Sequence, residues 1–385
     1  MNKKVRVLMV LNRYYPMIGG AENQCRILMK SLKSMDEIEI IGVVTHKYDG
    51  SLSNSETLDG ISIYRIGIPI GKKFSVLSFY ISLFLFLFNK RQQYDILHVH
   101  TISLTSFICV LISKLLKKET LQKLTIADEI NNIVNKKGLK NFIIKKLVLF
   151  GINNGKIVAL TNEGLEEINK LTTAKKSNVY KIKNGVDDKI FFKKDVSNIK
   201  SRYLIDDNVI HLGFVGRLTK VKGILELCNH IVEFNKSSTN LKKFRLYVMG
   251  SGNHQIDSVE NFIKELSSLN DFIRLVPPEH QPVDFYNSID YYISNSTKEG
   301  MPNTVLEALS CKKPLILSAI RPHVEIFNDN KNAKIKIYKN KNELFNILNQ
   351  ISVNLEIEES EIDKEYFIDE VAKKYLCIYK VCANG

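Results

Sequence analysis

Short β-rich runs alternate with helix-length spans along most of this chain, and the alternation occurs twice. The first series lies at residues 5–11, 39–44, 61–66, 96–100, 157–161 and 179–182, the second at 211–215, 244–249, 272–276, 291–294 and 314–318. Strands separated by helical spans pair in parallel through crossovers, so each series specifies βαβ units around a mainly parallel sheet. Two series specify two such α/β domains. They are expected at residues 1–195 and 206–360, joined by a polar, Lys- and Asp-rich connection near 191–207. A last helix, near 366–380, alternates apolar and charged residues at helical spacing.

The length of 385 residues supports this division at about 150 residues per domain. A composition of 44% hydrophobic and 25% charged residues is that of a soluble globular chain. Residues 1–200 carry 32 Lys and Arg against 17 Asp and Glu, whereas residues 201–385 carry 23 against 24. The net charge of +14 therefore belongs to the first half, and something acidic is expected to meet it. Nine lysines fall within the 33 positions 114–146. The longest apolar run, 74–88, is flanked by Lys72, Lys73, Lys90 and Arg91, and its 15 residues fall short of the roughly 20 that a bilayer span needs. It reads as a buried or an interfacial helix. With the lysines, it raises the expectation of peripheral binding to an anionic membrane face; the plain alternative is a solvated Lys-rich surface. Val5 to Leu11 is too short for a signal sequence and reads as the first strand. The six scattered cysteines point to reduced, mostly buried thiols in a cytoplasmic protein.

Four segments carry chemistry. Gly19 and Gly20 follow the first strand and open a helical stretch, where glycines let backbone N–H groups approach an anion at a helix N-terminus. The pattern is not G-x-G-x-x-G, so no dinucleotide fingerprint is present. In G-F-V-G-R-L-T-K-V-K-G at 213–223, Arg217 and Lys222 can converge on a diphosphate, the Arg as a fork and the Lys as a point charge. Glu299 and Glu307 form an E-x7-E pattern around Gly300, Met301, Pro302, Asn303 and Thr304. Pro302 suits a helix start, with Asn303 or Thr304 in its first turn. If wholly helical, this spacing separates the carboxylates by roughly 12 Å. That is too far for an acid and a nucleophile on one bond, and suits two grips on one elongated ligand. Glu307, set among Val305, Leu306, Ala308 and Leu309, needs a polar partner. Finally, in D-I-L-H-V-H at 95–100, His100 sits at a strand's C-terminal end, where α/β ligand sites form, and His98 reads as structural.

Together these motifs resemble the retaining GT-B glycosyltransferases, most closely glycosyltransferase family 4. Also matching are K-I-K-N-G-V-D-D-K-I-F-F at 181–192, S-N-S-T-K-E-G-M-P-N-T-V-L-E-A-L-S-C at 294–311, and P-H-V-E-I with Glu325. The resemblance implies two Rossmann-like domains facing a cleft, with the last helix returning to the first domain. It implies a nucleotide-sugar donor, here expected to be UDP-linked, held mainly by the C-terminal domain. Arg217 and Lys222 would bind the diphosphate, Glu307 the ribose hydroxyls and Glu299 the transferred sugar, beside the N–H groups of 300–304. Gly19 and Gly20 would approach the diphosphate when the cleft closes. The acceptor, a glycan or a polyprenyl-diphosphate-linked glycan of bacterial surface polysaccharide synthesis, would meet the N-terminal domain at the inner membrane face. Neither a metal nor a cofactor is implied.

Two departures stand out. Where family members carry a His-bearing turn, this chain has L-T-I-A-D-E at 124–129, so Asp128 or Glu129 is the expected substitute beside His100. Cys311-Lys312-Lys313-Pro314 replaces Cys-Gly-x-Pro, expected to be a tolerated turn change. A GT-B nucleotide-sugar epimerase of the UDP-N-acetylglucosamine 2-epimerase type is the alternative function. Nucleic-acid binding is disfavoured because the basic residues are not interleaved with stacking aromatics.

Overall fold

In the computed structural model, which describes residues 4–17, 19–195, 203, 209–237, 242–252, 258–354 and 356–384, the chain divides into two units. Unit 1 comprises Met1–Gly185 with Phe367–Gly385, and unit 2 comprises Val186–Tyr366. The boundary falls earlier than the sequence pattern placed it, at 186 rather than 195. Residues 186–194 are held by unit 2: the Val186 N–H donates to the Tyr366 carbonyl, and the Ser310 hydroxyl donates to that of Phe191. Of the connection expected at 191–207, residues 196–202 and 204–207 lie outside the described residues.

Unit 1 contains β1 (Val5–Leu11), α1 (Gly20–Lys33), β2 (Ile38–His46), β3 (Ser55–Leu58), β4 (Ile61–Ile66), α2 (Lys72–Asn89), β5 (Ile96–Val99) and α3 (Leu104–Leu115). It continues with β6 (Glu119–Leu124), α4 (Glu129–Val134), α5 (Leu139–Asn154), β7 (Lys156–Ala159), α6 (Asn162–Leu171) and β8 (Val179–Lys181). The strand order is β3-β4-β2-β1-β5-β6-β7-β8, parallel except for the β3–β4 hairpin.

Unit 2 contains β9 (Ile210–Val215), α7 (Ile224–Ser237), β10 (Phe244–Met249), α8 (Ser258–Leu269), β11 (Ile273–Val276) and α9 (Val283–Ser288). There follow β12 (Tyr291–Ser294), α10 (Asn303–Ser310), β13 (Leu315–Ser318), α11 (Arg321–Asp329), β14 (Ile335–Tyr338) and α12 (Lys341–Val353). Its order, β11-β10-β9-β12-β13-β14, is parallel throughout. This is the doubly wound arrangement, in which the order reverses between β9 and β12. Unit 1 reverses likewise between β1 and β5.

The last helix, α13 (Ile368–Asn384), belongs to unit 1 and packs beside α1. Strand alternation separates the two faces of the first sheet. Val7, Met9 and Leu11 share a core with α1 and α13, whereas Leu8 and Val10 share one with α2 and α3. Two buried polar pairs tie elements of unit 1 together: His98 Nδ1 lies 2.7 Å from the Tyr379 hydroxyl, and Lys123 Nζ donates to Asn184 over 2.9 Å.

Strands β3, β6 and β14 escaped the run-based reading. β6 contains Gln122 and Lys123, polar residues that are nevertheless buried because Gln122 donates to the Gly151 carbonyl and Lys123 reaches Asn184. The Lys-for-Gly change after Cys311 has a definite conformational cost. Lys312 adopts φ +62°, the left-handed region that glycine enters freely. Its ion pair with Glu359, 3.4 Å long between two half-exposed side chains, offsets little of that cost. Lys312→Gly is therefore expected to raise stability by up to about 1 kcal/mol. A urea denaturation midpoint that stays put or falls would contradict this.

Candidate functional site

The unit 2 candidates collect where its strand order reverses. The loop after β9 and the loop after β12 are joined by backbone geometry. Gly223 adopts φ +60°, and a Cβ there would collide with the Asn295 carbonyl oxygen. The close approach is used: Asn295 Nδ2 donates to the Gly223 carbonyl (3.0 Å), and the Thr297 N–H donates to that of Val221 (2.8 Å). Only glycine satisfies both conditions at 223.

This clamp brings Lys222 beside Glu299, and their side chains form an ion pair. The Ser296 hydroxyl donates to the same Glu299 oxygen over 2.7 Å, and the Ser318 hydroxyl donates to the Ser296 carbonyl, also over 2.7 Å. Below them His323 is fully buried, with Nδ1 2.8 Å from the Ser318 carbonyl. Burial pushes its pKa down to about 4, so the ring is neutral and Nδ1 carries the proton. Its Nε2 is then an acceptor, buried without a hydrogen-bond partner among the described residues. Arg217, at the mouth of the β9 loop, is exposed.

The eight-residue helix α10 starts at Asn303, with Pro302 as its cap residue and no side-chain cap. Residues 299–302 are not helical, so the 12 Å separation, which assumed a continuous helix, does not apply. Gly300, Met301 and Pro302 are buried, and Asn303 and Thr304 are partly buried. The Thr304 hydroxyl lies 2.8 Å from that of Tyr292. Glu307 has the partner its surroundings demanded: the buried Tyr286 hydroxyl donates to it over 2.8 Å. Burial raises the Glu307 pKa to about 7, opposed by that bond.

In unit 1, α1 begins at Gly20 with Gly19 as an extended cap residue; Ile18, beside them, lies outside the described residues. The β1 loop is held by Arg65, which is buried, donates to the Tyr15 carbonyl over 2.7 Å and pairs with Glu56. His100 follows β5 and stacks on His98 with ring centroids 4.1 Å apart. Both His100 ring nitrogens are buried without hydrogen-bond partners among the described residues, and burial holds its pKa well below the usual value. Asp128 is exposed at φ +65° in the residue before α4, without a side-chain cap bond to that helix; its N–H donates to Glu167 over 2.9 Å. Glu129 instead turns back on Thr125, whose N–H and hydroxyl each lie 3.3 Å away, and burial raises its pKa to about 7. Among the described residues no group of three or more His, Cys, Asp or Glu side chains is placed to hold a metal ion.

Sequence reasoning missed Tyr286, Asn295, Ser296, Thr297 and His323. Ser296 and His323 lay inside quoted motifs without any sign of their contacts. Tyr286 is 21 positions from Glu307 on another helix, a pairing that no local pattern reveals.

Two parallel-sheet domains of these orders define the GT-B fold class. Sucrose-phosphate synthase from Thermosynechococcus elongatus superposes with a TM-score of 0.76 at 15% identity, covering 98% of this chain and 99% of that one. The Anabaena HepE structure in complex with UDP-glucose superposes at 0.68 and 14% identity, covering 98% of each chain. Residues 195–362 match the family described as glycosyl transferases group 1. Among curated relatives, the capsular polysaccharide biosynthesis glycosyltransferase CapM of Staphylococcus aureus is 28% identical over 196 residues, 48% of this chain and 49% of that protein. The match thus spans about half the length of CapM. CapH, a capsular polysaccharide biosynthesis glycosyltransferase of the same organism, is 24% identical over 80% of each chain.

The Glu307 environment generates a pH prediction. Its folded-state pKa lies above the ordinary 4.5, so between about 4.5 and about 7 the folded state binds more protons than the unfolded one. Stability from this group therefore falls as pH rises through that window. Relative to Glu307→Gln, which mimics the protonated acid, the wild type is expected to lose stability from pH 4.5 to 7. Parallel denaturation-versus-pH curves would contradict the assignment.

Proposed function

We propose that the chain is a retaining, metal-independent glycosyltransferase that takes a sugar from a UDP-linked donor. The observation that carries this reading is the Lys222–Glu299 pair held by the Gly223–Asn295 clamp at the switch point of unit 2. A cation and a carboxylate fixed side by side suit the junction between a diphosphate and a sugar. Lys222 and Arg217 neutralise charge that builds on the departing phosphate, and Glu299 accepts hydrogen bonds from sugar hydroxyls. The first turn of α10 offers backbone N–H groups between the two carboxylates. Glu307, on the same helix, accepts the ribose hydroxyls. On this reading no base need deprotonate the acceptor, because the leaving phosphate takes that proton on the same face of the sugar.

The match of residues 195–362 to glycosyl transferases group 1 and the UDP-glucose named in the HepE structure support a nucleotide-sugar donor. The capsular polysaccharide relatives support a glycan acceptor, which we place on a polyprenyl diphosphate at the inner membrane face. His100 and Asp128 are the acceptor-side candidates in unit 1. Unit 1 as the acceptor domain, and unit 2 as the donor domain, belong to the same proposal.

Glu299→Ala and Lys222→Ala are each expected to lower sugar transfer by more than about tenfold, or about 1.4 kcal/mol of transition-state stabilisation. The measurement is product formation from a UDP-sugar panel, with circular dichroism verifying the fold. Turnover near that of the wild type in either variant would remove the residue from the site. UDP release without glycosylated product would point to epimerisation or hydrolysis instead.

A further inference from the structure

Helices α2, α3 and α5 contain no Asp or Glu at all, and no acid occurs anywhere in residues 60–94, 96–118 or 130–162. The three lie on one face of the first sheet. α2 and α3 cover Leu8, Val10, Leu97 and Val99, and α5 packs beside α3, where Gly151 meets the Phe107 backbone. On the opposite face, α1 and α13 carry acids of their own, Glu22, Asp369 and Glu370.

The acid-free face is also apolar towards solvent. Along α2, Phe79, Leu83 and Leu87 point into the core. Phe74, Leu77, Ile81, Leu85 and Phe88, spaced three and four apart, form a second stripe, each side chain 44–56% exposed. α5 adds Leu139, Phe142, Ile143 and Phe150, with Leu139 78% exposed. Cations border this surface with their stems along it. Arg91 lies over the Phe88 ring at 4.7 Å and Lys146 over the Phe142 ring at 4.6 Å. Exposed Lys73, Lys114, Lys117, Lys137 and Lys140 extend the positive border. Two lysines of the dense segment do not contribute, since Lys123 is buried on Asn184 and Lys118 donates to the Tyr94 carbonyl. Among the described residues no helix is long and apolar enough to cross a membrane.

We infer that the α2–α3–α5 face docks on an anionic lipid surface, with the α2 and α5 stripes in the headgroup–acyl boundary and the lysines among the headgroups. An apolar stripe bordered by cations, on three helices that contain no acid, suits that occupant. A second copy of the chain would bring an identical cationic border against this one, which opposes self-association through this face. The inference deepens the lipid-linked acceptor reading by naming the surface, and its test has no turnover readout, so it can fail while the transferase reading stands.

The test is flotation of the full chain with vesicles of mixed phosphatidylglycerol and phosphatidylcholine, against phosphatidylcholine alone. The wild type is expected to float with the anionic vesicles only, less so at high salt, and Leu77→Asp/Ile81→Asp to lose at least about tenfold of the recovery. The chain contains no tryptophan, so one introduced residue reports unambiguously. Leu77→Trp is expected to shift its emission to the blue and to be quenched by brominated lipid, while Val381→Trp, exposed on α13 of the opposite face, is unaffected. Three results would overturn the inference. These are no recovery of the wild type with anionic vesicles, equal recovery with both vesicles, or a blue shift in the Leu77→Trp variant that follows protein concentration without lipid, which would assign the face to a second copy.

Discussion

The chemistry of unit 2 depends on one steric constraint, the close passage of the β9 and β12 loops at Gly223 and Asn295. In a doubly wound sheet the loops on either side of the order reversal leave in opposite directions and open a crevice at the strand ends. The reversal alone fixes only where a ligand could sit. The left-handed turn at Gly223 fixes which side chains meet there, because it draws the β9 loop onto the carbonyl of Asn295. Lys222 and Glu299, 77 positions apart, then pair. Ser296 holds that carboxylate, Ser318 holds the Ser296 carbonyl, and the neutral His323 donates to the Ser318 carbonyl. Support of this kind lets charges act without reorganising, which is where enzymes gain most from electrostatics.

Charge is divided by unit as cleanly as by chain half. Unit 1 holds 31 Lys and Arg against 16 Asp and Glu, and unit 2 holds 24 against 25. The boundary at 186 and the return of α13 leave the imbalance where the sequence placed it. Within unit 1 the structure refines its meaning. Lys123 serves the interior, its pKa lowered to about 8 by burial, whereas the helices of one face carry cations with no acids among them.

Much of the fold was legible because parallel strands are buried on both faces and so read as short apolar runs. β6 failed that test only because Gln122 and Lys123 find partners in Gly151 and Asn184, contacts no run of letters can show. The helix at 74–88 was visible as apolar, but not as apolar on two opposite sides. The Glu299 and Glu307 pattern was legible as spacing, and the demand of Glu307 for a partner followed from its neighbours. Its partner Tyr286, the neutral His323 and the break before Asn303 were not legible, since each rests on tertiary packing. Glu129 shows the same limit: beside Asp128 in sequence, it turns inward to Thr125 while Asp128 stays exposed at the start of α4.

The central claim is that the 217–223 and 299–307 segments hold a nucleoside diphosphate. Calorimetric titration of UDP into the full chain, its Arg217→Ala variant and its Glu307→Ala variant tests that claim directly. One equivalent of UDP is expected to bind the wild type, with affinity at least about tenfold weaker in each variant, as loss of a charge-assisted hydrogen bond implies. UDP binding of equal strength in all three proteins would contradict it.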